Sequence, residues 1–254
     1  MENNTNSNKP LTHFELVGEF HDTFGHPNKK NPYYECFSEP DKKLLKFRLS
    51  LMREEYSEFT DAVHKNDIVE MADALCDLLY VTYGAGHALG LNLDLLMDHY
   101  DLSYNAFKLS NLKAIDAFKI KQNDLNILSG NIDSELNEIK KNIDNDDSYN
   151  NNEDRFNYLG KLLCSVLYFT YKLGSELTFK MDEMFREVHR SNMTKTCNNM
   201  DDVNMSIDFY KKDGRYANPS YKISGKYYVI YDAFTSKILK NHKWEEPNLK
   251  QLID

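Results

Sequence analysis

A mainly α-helical chain, built as a tandemly duplicated helical bundle with a small C-terminal β-ribbon, is what this sequence predicts. Three observations carry that reading. Apolar residues recur at helical spacing through six long segments, strand-like alternation is confined to one C-terminal stretch, and part of the chain aligns on itself without gaps. The helical segments are residues 14–24, 43–63, 68–89, 125–143, 156–173 and 181–193. Ser-Gly and Thr-Ser turn signals around the β-prone run YYVIY place a ribbon within residues 221–239. Between the fourth and fifth helices, residues 142–155 hold five Asn and five acidic residues in fourteen, which predicts a mobile loop. Three zones follow: a helical unit over 11–107, a second over 108–200 and a tail over 201–254.

The repeat fixes the architecture. At an offset of 88, residues 75–103 align with 163–191, and ten of the 29 positions are identical, including Cys76, Tyr80, Tyr83 and Asp94. Just beyond, Asn105–Lys108 sits against Asn192–Lys195, and upstream Glu55 and Glu58 correspond to Glu135 and Glu138 at an offset of 80. Each unit is too small to bury its own apolar faces, so the two are expected to pack as a pseudo-dimer.

Composition narrows the function. With 31 Lys and Arg against 40 Asp and Glu in 254 residues, the net charge of −9 argues against a general nucleic-acid binder. A 41% hydrophobic content is enough for a sizeable core. The first ten residues carry no apolar run, and the richest apolar stretches, 71–83 and 162–171, are too short or too acid-interrupted to span a bilayer, so a soluble, cytoplasmic protein is expected. Four scattered cysteines without C-x-x-C spacing support neither disulfides nor zinc.

Chemistry concentrates in two acidic stripes. Glu54 and Glu58 lie one turn apart on one helix, roughly 6 Å along its axis, with Glu55 beside them. Glu70, Asp73 and Asp77 follow on the next helix within an arc of about 60°. A turn at residues 65–67 makes the two helices antiparallel, so the stripes can face each other. A solvated face is the ordinary meaning of such a run. The second helix resists it, because its other sides are apolar nearly all round, and carboxylates gathered at a buried spot repel one another unless cations join them. Carboxylate-only ligation selects hard ions, Mg²⁺ or Mn²⁺, whose usual task is to clamp phosphate oxygens.

Glu54-Glu55-x-x-Glu58 followed by Glu70-x-x-Asp73 resembles the E-E-x-x-E…E-x-x-D signature of the MazG-like, all-α nucleoside triphosphate pyrophosphohydrolases, a superfamily that includes phosphoribosyl-ATP pyrophosphohydrolases and dimeric dUTPases. Residues 20–25 (FHDTFG), Arg48-Leu49, 73–80 (DALCDLLY) and 187–195 (EVHRSNMTK) are similar to the phosphoribosyl-ATP pyrophosphohydrolase-like branch. There the last motif usually follows the metal helices closely; here an insert of roughly residues 95–180 displaces it. The resemblance implies that Glu55, Glu58, Glu70 and Asp73 hold Mg²⁺ or Mn²⁺ and that Glu54 orients or deprotonates the attacking water. It also implies that Arg190, Asn192 and Lys195 contact the substrate, a nucleoside triphosphate, which is cleaved to monophosphate and pyrophosphate in nucleotide-pool housecleaning, with a dNTP the expected substrate. Asp77 could join the metal site, contact the sugar, or be a hydrogen-bonded core carboxylate.

The second unit departs from the pattern, with Tyr158, Lys161 and Ser165 opposite Glu70, Asp73 and Asp77. One active site per chain is therefore expected, the degenerate half serving as the packing partner that a second subunit supplies in simpler relatives; a homodimer of such chains stays open. The alternative function is a nucleotide-binding or regulatory protein without turnover. His21-Asp22 reads as a semi-exposed pair rather than a metal dyad. Tyr80 and Tyr83, which recur as Tyr168 and Tyr171, read as core rather than base-stacking residues.

Overall fold

The computed structural model describes residues 10–100, 122–144, 149–235 and 237–253, with side chains of 122–124 excepted. These residues are mostly helical, with a small antiparallel sheet near the C-terminus. In chain order they form α1 (His13–Phe24), a 3₁₀ turn (Tyr34–Phe37), α2 (Lys42–Lys65), α3 (Ile68–Leu89), α4 (Leu93–His99), α5 (Gln122–Asp144), α6 (Asn152–Glu176), α7 (Met181–Met193), β1 (Thr196–Cys197), α8 (Met200–Asp213), β2 (Pro219–Ser224), β3 (Tyr227–Asp232) and α9 (Lys250–Ile253). No helix among the described residues is long and apolar enough to cross a membrane.

Local sequence sets the helix ends. Thr12 and Glu15 form a capping box at α1, whose end is marked by Gly25 in the left-handed conformation at φ 66°. Asn66 closes α2 in the same conformation at φ 54°, and the Asp67 carboxylate accepts the Glu70 backbone N–H to open α3. That two-residue connection folds α2 and α3 into a hairpin. Gly90 ends α3 at φ 70°, and a Cβ there would stand 1.9 Å from the Asn31 carbonyl oxygen, so no other residue fits.

The α2–α3 hairpin packs on α5–α6, α2 against α5 and α3 against α6, while α1 and α7 close over α3. Helix α3 is the centre. Leu75, Leu78 and Leu79 have no exposed surface, and every residue from Leu78 to Leu89 is buried except Val81. Two contacts across the hairpins join residues that the repeat treats as equivalent: the hydroxyls of Tyr83 and Tyr171 meet at 3.0 Å, and Arg53 Nη1 donates to Asp133 at 2.6 Å. His13 extends the first contact into a buried network, its Nδ1 lying 2.6 Å from the Tyr171 hydroxyl and its Nε2 2.9 Å from Asp182.

The tail has its own small core of Cys197, Val203, Tyr210, Ile230 and Leu239. The expected ribbon is a three-stranded sheet in the order β1-β3-β2, β1 arriving from before residue 201. All four cysteines are free and buried.

Two expectations need correction. Residues 142–155 are not a loop at their ends: α5 runs through Asp144, α6 begins at Asn152, and Asn142 and Arg155 are 1% and 3% exposed. The physical reason is Arg155, whose guanidinium donates to the carbonyls of Asn142 at 2.6 and 2.8 Å and Ile143 at 2.9 Å, satisfying helix-end acceptors that lack intrahelical partners. Residues 145–148 lie outside the described set. His21-Asp22 is not a semi-exposed pair either: His21 is buried with Nδ1 2.7 Å from the Pro27 carbonyl, while Asp22 is exposed and accepts from Asn28. Burial pushes the His21 imidazole down to about 3, so it is neutral at physiological pH.

Replacing Arg155 by Met keeps much of the volume but strands the α5 carbonyls. We expect Arg155→Met to lower unfolding free energy by about 3 kcal/mol, read as a shifted urea midpoint at unchanged slope; an unaltered midpoint would show that the cap is dispensable.

Candidate active site

The antiparallel hairpin brings the two acidic stripes together. Asp73 and Asp77 are half-buried on α3, and Glu55, half-buried on α2, lies across from Asp77. Glu54, Glu58 and Glu70 are exposed, each within electrostatic reach of one of the inner three, and of the predicted acids only Glu70, Asp73 and Asp77 line the cavity described next. Burial, and then the neighbouring carboxylates, push Glu55, Asp73 and Asp77 up from the ordinary range; Asp77 is the strongest neighbour for Glu55, Glu70 for Asp73 and Asp73 for Asp77. Glu58 is raised for the same reasons, with Glu54 its strongest neighbour.

Glu70, Asp73 and Asp77 form one wall of a cavity of about 360 Å³, within the range of small-molecule sites. Asn192 and Lys195, from the end of α7 and the residues after it, line the same cavity. Lys195 Nζ donates to Asn192 Oδ1 at 2.6 Å, and burial lowers its pKa while Asp77 and Asp73 oppose that shift. Lys195, together with Lys240, thus supplies positive charge beside Asp73 and Asp77.

Arg190 departs from its expected place. It does not line this cavity; its guanidinium is held by Glu187, at 2.8 Å, and by Glu245 of the tail. Residues that sequence reading missed complete the wall: Lys240, Trp244 and Glu246. They come from a strap after β3 that α7 and its neighbours tie down. Ser191 Oγ donates to the Glu245 carbonyl at 2.7 Å, the Glu245 N–H donates to Thr194 Oγ1 at 3.1 Å, and Asn241 Nδ2 donates to the Thr194 carbonyl at 2.6 Å. The sequence offered one signal for the strap, the chain's single tryptophan inside an otherwise polar stretch.

The donor set is all carboxylate, mutually repelling and part-desolvated, which is the chemistry of a hard divalent cation. Among the described residues no three metal-ligating side chains converge into a ready-made cage. Tyr80 and Tyr83 are core residues as expected, 6% and 3% exposed, the Tyr80 hydroxyl 3.1 Å from His189 Nδ1.

The phosphoribosyl-ATP pyrophosphohydrolase family model matches residues 17–103, the stretch that contains both acidic stripes. An uncharacterized protein of Acanthamoeba polyphaga mimivirus is 33% identical over 260 residues, covering 98% of this chain and 98% of its own length. No solved structure matches the chain significantly.

Carboxylates raised by folding favour the native state most when protonated. Without metal, stability is therefore intact below the ordinary carboxylate pKa and is lost as pH climbs through the raised values of Asp73, Asp77 and Glu55. The metal-free thermal midpoint should fall between about pH 5 and 8, and millimolar Mg²⁺ or Mn²⁺ should raise it at pH 8 more than at pH 5, because ligation needs the deprotonated groups. A metal-induced shift independent of pH in calorimetry would refute this.

Proposed function

The chain belongs to the MazG-like, all-α nucleoside triphosphate pyrophosphatase superfamily, and on that premise we propose that it hydrolyses a nucleoside triphosphate, in particular a dNTP, to the monophosphate and pyrophosphate. The observation that carries the reading is the cavity in which Glu70, Asp73 and Asp77 face Asn192 and Lys195. One wall attracts cations and the other attracts phosphate. Phosphoryl transfer asks for in-line positioning and charge neutralisation more than for covalent catalysis, and this arrangement supplies both.

Glu55, Glu58, Glu70, Asp73 and Asp77 are the carboxylates from which a divalent ion, Mg²⁺ or Mn²⁺, would draw its ligands, and when bound it would supply charge neutralisation on the phosphate oxygens. Glu54, exposed on α2 beside Glu55 and Glu58, orients or deprotonates the water that attacks phosphorus. Lys195 and Asn192 donate to phosphate oxygens, and Asn192 fixes the lysine meanwhile. Arg190 acts at one remove, by holding Glu245 and with it the strap.

The α5–α6 hairpin is read as the degenerate half of a duplication. Self-pairing of Tyr83 with Tyr171 and of Arg53 with Asp133 supports it, since contacts between equivalent positions are what a pseudo-twofold axis requires. The second half has no acids opposite Glu70, Asp73 and Asp77 and works as scaffold.

The test is pyrophosphate release from a panel of ribo- and deoxyribonucleoside triphosphates with Mg²⁺ or Mn²⁺. Release should depend on the metal, favour a deoxyribonucleotide, and fall at least about a hundredfold in Glu55→Gln and Asp73→Asn. Failure of every nucleotide to yield pyrophosphate, with nucleotide and metal still raising the thermal midpoint, would instead identify a binding protein.

A further inference from the structure

The strap that completes the cavity lies far outside the family-matched stretch of residues 17–103. Two of its side chains are arranged in a way that packing alone does not explain. Lys240 Nζ sits over the Trp244 ring, 3.3 Å from its centroid, although four carboxylates, Glu70, Asp73, Asp77 and Glu246, line the same cavity. The indole Nε1–H of Trp244 is buried and has no acceptor among the described residues. Tryptophan normally finds a partner for that group when it is buried, so an unmet N–H on a residue that lines the cavity points to an acceptor that the protein does not itself supply.

We propose that Lys240 and Trp244 form the nucleoside-side subsite of the cavity, with the indole as stacking platform for the base and Lys240 as a third phosphate donor beside Asn192 and Lys195. The inference rests on the nucleotide reading above and extends it to residues that the acidic motif does not include. The exchange is chemically balanced. A bound triphosphate offers the ammonium a full anionic partner, and a base offers the vacated ring face a stacking partner of comparable strength to the cation–π contact it replaces. An oxygen of the same nucleotide can then accept from Nε1–H. Because a ring face accepts any base, this subsite favours nucleotides over inorganic polyphosphates without choosing among bases.

The platform is held by its surroundings rather than by the ligand. Asn241, immediately after Lys240, donates to the Thr194 carbonyl; Glu245, immediately after Trp244, is bonded through its carbonyl to Ser191 and through its carboxylate to Arg190. The Tyr210 hydroxyl fixes the Lys240 carbonyl at 2.8 Å. The segment Arg190–Lys195 thus carries the phosphate donors and anchors the strap at once.

Trp244 is the only tryptophan, so its emission reports directly on this subsite in the full-length protein. Titration with nucleoside triphosphates in Mg²⁺ should quench or shift that emission, and tripolyphosphate at equal concentration should do so more weakly. In steady-state kinetics Trp244→Leu should raise KM about tenfold, Trp244→Phe should restore most of it, and Lys240→Met should raise KM similarly. Emission that responds to nucleotides while no pyrophosphate appears would support the subsite and refute the hydrolysis. Emission indifferent to every nucleotide, or a Trp244→Leu enzyme with wild-type KM, overturns the inference whether or not the chain is a hydrolase.

Discussion

Carboxylates crowded on a helix that is otherwise a core element are the constraint around which the molecule is arranged. Helix α3 must be buried, because Leu75, Leu78 and Leu79 are apolar on its several sides, yet it carries Asp73 and Asp77 in its middle. Burying a charge without a partner costs several kcal/mol, and burying neighbours of like sign adds to that. The fold answers in two ways. A solvent-accessible cavity is kept against the acidic face, so that these side chains remain half-buried, and Lys195 and Lys240 are brought to its other side. Elsewhere α3 is sealed by α1, α2, α6 and α7.

That solution explains the asymmetry between the hairpins. The α5–α6 pair buries Leu163, Val166 and Leu167 and keeps Glu135 and Glu138 on α5, but α6 has no acids opposite Glu70, Asp73 and Asp77. The acids of α2 and α3 lie within electrostatic reach of one another, and their counter-charges, Lys195 and Lys240, come from residues more than a hundred positions away. Contacts of Tyr83 with Tyr171 and of Arg53 with Asp133 tie the two hairpins together. Active sites commonly hold such groups at the expense of stability, sustained by well-packed surroundings.

Much of this was legible in the residues, and unevenly. The bounds of α3 and α7 could be read to the residue, because Asp67 and Gly90 punctuate the first and a strong apolar face runs the length of the second. Helix α8 was missed: its inward positions, Val203, Ile207 and Tyr210, cover only a small core, and the exposed Met205 and Phe209 blur its apolar face. Helix α4 is seven residues long and gives too few turns for a period. The acidic wall of the site was readable because it is local, one hairpin with fixed spacing. The basic wall was readable only where a motif marked it, at Asn192 and Lys195. Lys240 and Trp244 reach the cavity through tertiary bonds to Thr194 and Ser191, and no periodicity encodes such a path.

The split between a local acidic wall and a distant basic wall bears on how substrates are told apart. Acids that gather a metal recognise what all triphosphates share, and two lysines and an asparagine facing them add affinity for phosphate without selecting a nucleoside. Discrimination must come from groups that meet the rest of the substrate. In this chain the remaining cavity residues are the apolar Val69, Val188, Pro247 and Leu249, the indole of Trp244, the Ser191 hydroxyl and the Glu246 carboxylate. A flat or aliphatic surface rejects an isostere by little, so discrimination by hydrogen bonds falls to the polar members of this set.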